Sequence, residues 1–161
     1  MTHDDHRPDT TRRDVLRDGA RLAIGTLLLT VLPGAARATP AAMTEAIKKV
    51  IGEASLRKGR VKLELPPLIE NGNSVTMVVA VESPMTAADH VKAIHVFNEK
   101  NPQPNVIGVY LGPRAGRANI STRIRLADSQ KVIAVAEMND GSFWSDEVEV
   151  IVTLAACLEV L

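Results

Sequence analysis

The chain is poor in aromatic residues, with one Trp, one Tyr and two Phe among 161 residues, and it has no excess of charge of either sign. Nineteen Lys and Arg balance nineteen Asp and Glu. Without a net positive field or a set of stacking rings, the composition argues against binding to nucleic acid or to an anionic membrane surface. Cysteine is nearly absent as well. Cys157 is the only one, so no intrachain disulfide can form, and its thiol is a buried spectator, an intermolecular link or a reactive group. The usual enzyme signatures are also missing: no G-x-S-x-G, no glycine-rich phosphate loop, no H-E-x-x-H and no C-x-x-C. An independent enzyme is therefore not expected, and no residue set suggests a metal or a cofactor.

What is present begins with an export signal. Arg12-Arg13 lies in Thr11-Arg12-Arg13-Asp14-Val15-Leu16-Arg17, an apolar run follows from Leu22 to Leu32, and Ala36-Arg37-Ala38 offers a small-residue cleavage site. The apolar run is about half the roughly 20 residues that span a bilayer. The order of features predicts a twin-arginine signal over residues 1–38, export of an already folded protein to the periplasm, and no membrane anchor after cleavage. That compartment is oxidising, which makes an exposed, unpaired thiol chemically consequential.

The mature chain opens with Thr39-Pro40, a capping hydroxyl followed by proline at the first helical position. Met43, Ile47, Val50, Ile51 and Ala54 recur at helical spacing, and Gly59 ends the expected element, giving a helical segment over 39–59. From Arg60 the period changes to two. Val61, Leu63 and Leu65 alternate with charge before Pro66-Pro67, and Asn71-Gly72-Asn73 is a turn. Further strands are expected over 74–82, 91–98, 106–111, 117–126 and 131–138, then from Phe143 to about Leu154, with Asn139-Asp140-Gly141-Ser142 as a hairpin turn. About seven short strands without intervening helices predict an all-β, immunoglobulin-like antiparallel sandwich over 60–154. A small barrel is the other fold the pattern admits.

Several residues stand out as candidate sites. His90 and His95 are the only histidines after the signal, and their spacing puts them on opposite sides of a strand, which disfavours shared metal ligation. Arg114, Arg117, Arg123 and Arg125 form a candidate docking surface for an anion or an acidic partner, with a solvated sheet face as the plain alternative. Trp144 is a core filler beside Phe143 or, less commonly, a partner hot spot. Cys157 lies in a tail of residues 155–161, beyond the last strand.

The chain resembles the SoxY family of the thiosulfate-oxidising Sox system. The resemblance is carried by Lys62-Leu63-Glu64-Leu65-Pro66-Pro67-Leu68-Ile69-Glu70-Asn71-Gly72-Asn73, Ser83-Pro84-Met85, and Phe97-Asn98-Glu99-Lys100-Asn101-Pro102-Gln103-Pro104. It continues through Ser121-Thr122-Arg123-Ile124-Arg125-Leu126-Ala127, the stretch from Ala136 to Trp144, and Val152-Thr153-Leu154. The resemblance implies a sandwich that pairs with a SoxZ-like subunit and carries thiosulfate-derived sulfur covalently on Cys157. SoxXA-like and SoxB-like enzymes are the implied transient partners, and the carrier itself is not an enzyme and has no cofactor.

The family's arm reads Gly-Gly-Cys-Gly-Gly, whereas here Ala155, Ala156 and Leu158 flank the cysteine and Glu159 follows. Side chains at these positions narrow the backbone freedom that glycine gives an arm. Two readings therefore stand: a working carrier, or a carrier-inactive relative that keeps the partner-binding sandwich while Cys157 packs or forms a disulfide with another chain.

Overall fold

The structure is a computed structural model that describes residues 39–156. The expected signal at 1–38 and the residues Cys157, Leu158 and Glu159 lie outside the described residues.

Helix α1 spans Pro40–Ile51. Thr39 caps it, its hydroxyl accepting from the Ala42 N–H at 3.1 Å, and Pro40 occupies the first position where a missing N–H costs nothing. The helix is shorter than its apolar spacing suggests, because Gly52 terminates it at φ +61°. Ala54 is consequently exposed, off the helix. Gly59, expected to end the helix, instead sits at φ +107° in the link between two strands.

Among the described residues nine strands follow: β1 (Leu56–Lys58), β2 (Val61–Glu64), β3 (Leu68–Ile69), β4 (Val75–Val81), β5 (Val91–Asn98), β6 (Asn105–Tyr110), β7 (Ala118–Ile124), β8 (Gln130–Met138) and β9 (Phe143–Val152). One sheet has the order β1-β9-β8-β5-β6, with β3 also pairing β9, and the other is β2-β4-β7. The expected two-sheet β fold is present, with the long strands antiparallel. The two strands beyond the expected seven, β1 and β3, are three and two residues long. Both run parallel to β9, one at each end of it. Pieces so short carry no readable period. Between them the chain crosses to the smaller sheet as β2, whose Leu63 N–H is taken by the Asp146 carboxylate at 2.9 Å.

Alternation decides which faces meet. On β4 the residues Val75, Met77, Val79 and Val81 are buried, and on β7 Ala118 and Ile124 are, as a half-buried strand requires. They pack on Ile94, Val96, Val132, Ala134 and Val150 of the large sheet. That sheet's other face is covered by α1, whose Met43, Ala46 and Ile47 pack on Phe97, Ile133, Val135 and Phe143. The large sheet is thus apolar on both faces, which explains the nearly continuous hydrophobic run of β8. Val148, Val150 and Val152 face the sandwich core, whereas Leu154 lies past the end of β9 and is 59% exposed.

Candidate functional site

The chain leaves the sandwich toward Cys157 through a clasp of backbone hydrogen bonds. After Pro66-Pro67 the segment β3 zips along the end of β9, with Ile151 N–H donating to Pro67 O and Thr153 N–H to Ile69 O, both at 2.9 Å. The Asn71 side chain accepts from the Asn73 N–H at 2.9 Å and closes the expected turn. At the turn's centre Gly72 N–H donates to Leu154 O at 2.8 Å, while Gly72 O accepts from Leu126 N–H at 2.9 Å. Leu126 O in turn accepts from Ala156 N–H at 3.0 Å. Three segments distant in sequence are joined at one point, and Ala156 is buried there at 7% exposure.

Glycine is required at position 72 by space. A Cβ would stand 2.3 Å from Leu126 O, 2.9 Å from Ala156 N and 3.2 Å from Leu154 O, all backbone atoms. The sequence marked this residue as part of a turn, and its role in holding the tail follows only from the three-way meeting. The tail itself divides. Ala155 is exposed, but Ala156 is fixed to the sandwich rather than free, so the expected 155–161 arm is rooted at Ala156.

The four arginines do not form one surface. Arg114 and Arg117 lie in the β6–β7 connection, while Arg123 and Arg125 lie at the other end of β7. The six residues from Arg117 to Arg123 put about 20 Å of strand between the pairs. Arg123 and Arg125 border a shallow groove of about 440 Å³, together with Asn101, Gln103, Asn105 and Val106. Asn101 pins the β5–β6 loop beside β7, donating to Arg125 O at 2.8 Å and accepting from Ala127 N–H at 3.0 Å. This groove opens at the clasp end, since Arg125 precedes Leu126.

The opposite end of β9 holds a constellation that sequence patterning did not reveal. Trp144 is half-buried, with the Arg57 and Arg60 guanidiniums 5.6 and 5.8 Å from its ring centre. Its indole N–H donates to Ser142 Oγ at 3.1 Å. Arg60 also donates to Glu82 O at 3.1 Å and pairs with Asp89 at 2.7 Å. The Ser142 hydroxyl and N–H hold the Asp140 carboxyl below its ordinary pKa, with the two arginines adding to the effect. These contacts lock the β1–β2 link, with Arg60 at φ +54°, onto the start of β9. Trp144 thus packs, partly buried, against the sandwich core and also carries the two guanidiniums. Along the strand it stands about 30 Å from the clasp.

The histidines are separate, as expected. His90 takes its place through the Asn139 side chain, which accepts the His90 N–H at 3.0 Å. His95 stacks on Phe97 and meets the exposed Tyr110 edge-on, with centroids 6.3 and 5.9 Å away. Burial pushes the His95 pKa below its usual 6.5, partly opposed by Glu137. Among the described residues no three His, Cys, Asp or Glu converge in a way that could hold a metal, and no helix is long and apolar enough to cross a membrane.

Comparison with known proteins bears on the fold and then the family. The structure of the sulfur carrier protein SoxY from Chlorobium limicola f thiosulfatophilum superposes with a TM-score of 0.61 at 24% identity, covering 72% of this chain and all of that one. Superoxide reductase (neelaredoxin) from Ignicoccus hospitalis reaches 0.53 at 21% identity, covering 71% of this chain and 94% of that one. These likenesses are of fold. None of the curated proteins matches the chain. A family profile described as sulfur oxidation protein SoxY matches residues 47–157, from the middle of α1 through the cysteine. The chain belongs to the SoxY family of sulfur oxidation proteins.

Proposed function

We propose that this protein is a periplasmic carrier that holds sulfur-compound intermediates covalently on Cys157. The observation that carries the reading is the family match itself, which runs to residue 157 and so includes the chain's only cysteine. The clasp supports it physically. By fixing Ala156 to Leu126 it makes the sandwich a rigid base from which the thiol-bearing residue departs.

In this reading the signal over residues 1–38 is removed, and the mature chain from Thr39 crosses folded through the twin-arginine route. It pairs with a SoxZ-like subunit as a heterodimer. A SoxXA-like haem enzyme joins thiosulfate to the thiol, forming a sulfur–sulfur bond as two electrons pass to the enzyme and the thiol proton is released. The product is a Cys157 thiosulfonate. A SoxB-like hydrolase then cleaves the terminal sulfone with water and frees sulfate. The carrier's part is to present the thiol and retain the intermediate, not to catalyse these steps.

One observation favours a second reading. Ala156 is buried and hydrogen-bonded where the family's arm has glycine, so less chain is free to enter an enzyme channel. The second reading is a carrier-inactive relative that keeps the partner-binding sandwich. Intact-mass measurement after incubation with thiosulfate and the oxidising Sox enzyme separates the two. A carrier gains a thiosulfonate that Cys157→Ser abolishes. If the wild-type chain stays unmodified while a version with Gly at 155, 156, 158 and 159 is loaded, the carrier reading fails for this tail.

A further inference from the structure

The groove beside the clasp has a chemistry suited to what a carrier thiol would bear. Arg123 lies on the edge strand β7 and Arg125 follows just past its end, and both are exposed and line the groove. Neither is paired with a carboxylate among the described residues, where lysines such as Lys58, Lys62, Lys92 and Lys100 are paired. Among the described residues, the one hydrogen bond from the Arg123 side chain goes to Ser74 Oγ, at a long 3.4 Å. Two guanidiniums keep most of their forked donors available, and such forks match the oxygens of a planar or tetrahedral oxyanion. The amides of Gln103 and Asn105 add neutral polar groups on the same rim, while Asn101 is already occupied in holding the loop.

Position makes this pair different from Arg114 and Arg117. Arg125 adjoins Leu126, and Leu126 O holds the Ala156 N–H, so the groove lies at the root of the tail. Cys157 follows Ala156 by one peptide step of about 3.8 Å. A group borne at that root meets the groove within one molecule, so even exposed and individually weak charge contacts bias it toward the docked position.

We propose that the groove formed by Arg123, Arg125, Gln103 and Asn105 is an oxyanion site that receives the sulfonate end of the group carried on Cys157. This deepens the carrier reading and rests on it. Docking the charged end parks the intermediate against the sandwich and slows its loss to stray thiols, and an enzyme with a stronger oxyanion site draws it out.

The test loads the mature chain chemically, so that no Sox enzyme is needed. The Cys157 thiolate attacks an inner sulfur of tetrathionate, whose central sulfur–sulfur bond breaks. The products are the Cys157 thiosulfonate and one free thiosulfate, with charge and electrons balanced. Loaded and unloaded protein are compared by backbone amide NMR, and the rate of stripping by neutral dithiothreitol is measured. Loading is expected to shift the amides of Asn105, Val106, Ile124 and Arg125. The R123Q/R125Q pair is expected to remove those shifts and to speed stripping several-fold, up to about tenfold for two exposed charge contacts. The R114Q/R117Q pair, with the same change in net charge, is expected to behave as wild type.

Unshifted groove amides, an unchanged stripping rate in R123Q/R125Q, or an equal effect of R114Q/R117Q each overturns the proposal. Failure of enzymatic loading would count against the carrier reading alone, because the chemical route bypasses it.

Discussion

Gly72→Ala is the most informative single change in this molecule, because two opposed effects predict opposite signs. Gly72 has no left-handed backbone that would penalise a side chain. Away from a clash, Gly→Ala at such a position stabilises by about 0.4–1 kcal/mol through the unfolded chain. Here the added methyl would meet Leu126 O at 2.3 Å, with Ala156 N and Leu154 O behind it. All three are backbone atoms, so no side chain can swing away and the clasp must open. Opening places at risk the bonds Gly72 N–H to Leu154 O, Leu126 N–H to Gly72 O and Ala156 N–H to Leu126 O. At about 1 kcal/mol net for each bond, less the unfolded-state gain, the expected loss is about 2–3 kcal/mol. For a domain of this size that lowers Tm by roughly 8–12 °C. The assay is a thermal melt followed by circular dichroism, with hydrogen exchange at the Ala156 and Leu126 amides reporting on the clasp itself. Gly108→Ala is the control, because its Cβ would meet only the movable His95 ring, at 3.3 Å. An unchanged or higher Tm for Gly72→Ala, with the Ala156 amide still protected, would refute the account of the clasp.

Other outcomes follow from the same structure. Asn98 is fully buried, and neither its amide nitrogen nor its oxygen has a partner among the described residues, so Asn98→Leu should leave stability unchanged or raise it by up to about 2 kcal/mol in urea unfolding. A clear loss would mean that the amide is engaged. Burial lowers the His95 pKa from 6.5, so the unfolded chain binds the extra proton more readily. Stability should therefore rise with pH through the region below and up to about 6.5 and then level off, and His95→Phe should flatten this part of the profile. Arg60 sits at φ +54°, so Arg60→Ala loses the Glu82, Asp89 and Trp144 contacts while keeping the strain, whereas Arg60→Gly relieves it. Arg60→Gly should be the more stable of the two by about 1 kcal/mol, read by the fluorescence of the single tryptophan during unfolding; the reverse order would sink the strain argument.

Much of the fold is legible in local pattern. Period-two burial on β4 and β7 needs only one wet and one dry face, and it appears in the residue order. Thr39-Pro40 announces the start of α1 because capping is a local interaction. The end of α1 is not legible in the same way, since apolar spacing continues past a glycine able to break the helix. That glycine, Gly52, takes φ +61° and does so. Strands β1 and β3 were invisible because they exist only by pairing with β9, nearly 90 residues later in the chain. The four arginines lie close together in sequence, and the extended run of β7 sets the two pairs apart in space.

By itself, then, the sequence determined the two-faced strands, the helix start, the family and the lone thiol, because these depend on residue type and short spacing. Only the tertiary structure decided that Gly72, Leu126 and Ala156 meet, that the chain is held at Ala156, and that Arg123 and Arg125 share a groove apart from Arg114 and Arg117. Those relations depend on backbone atoms brought together from three distant segments, and no local pattern encodes a contact of that kind.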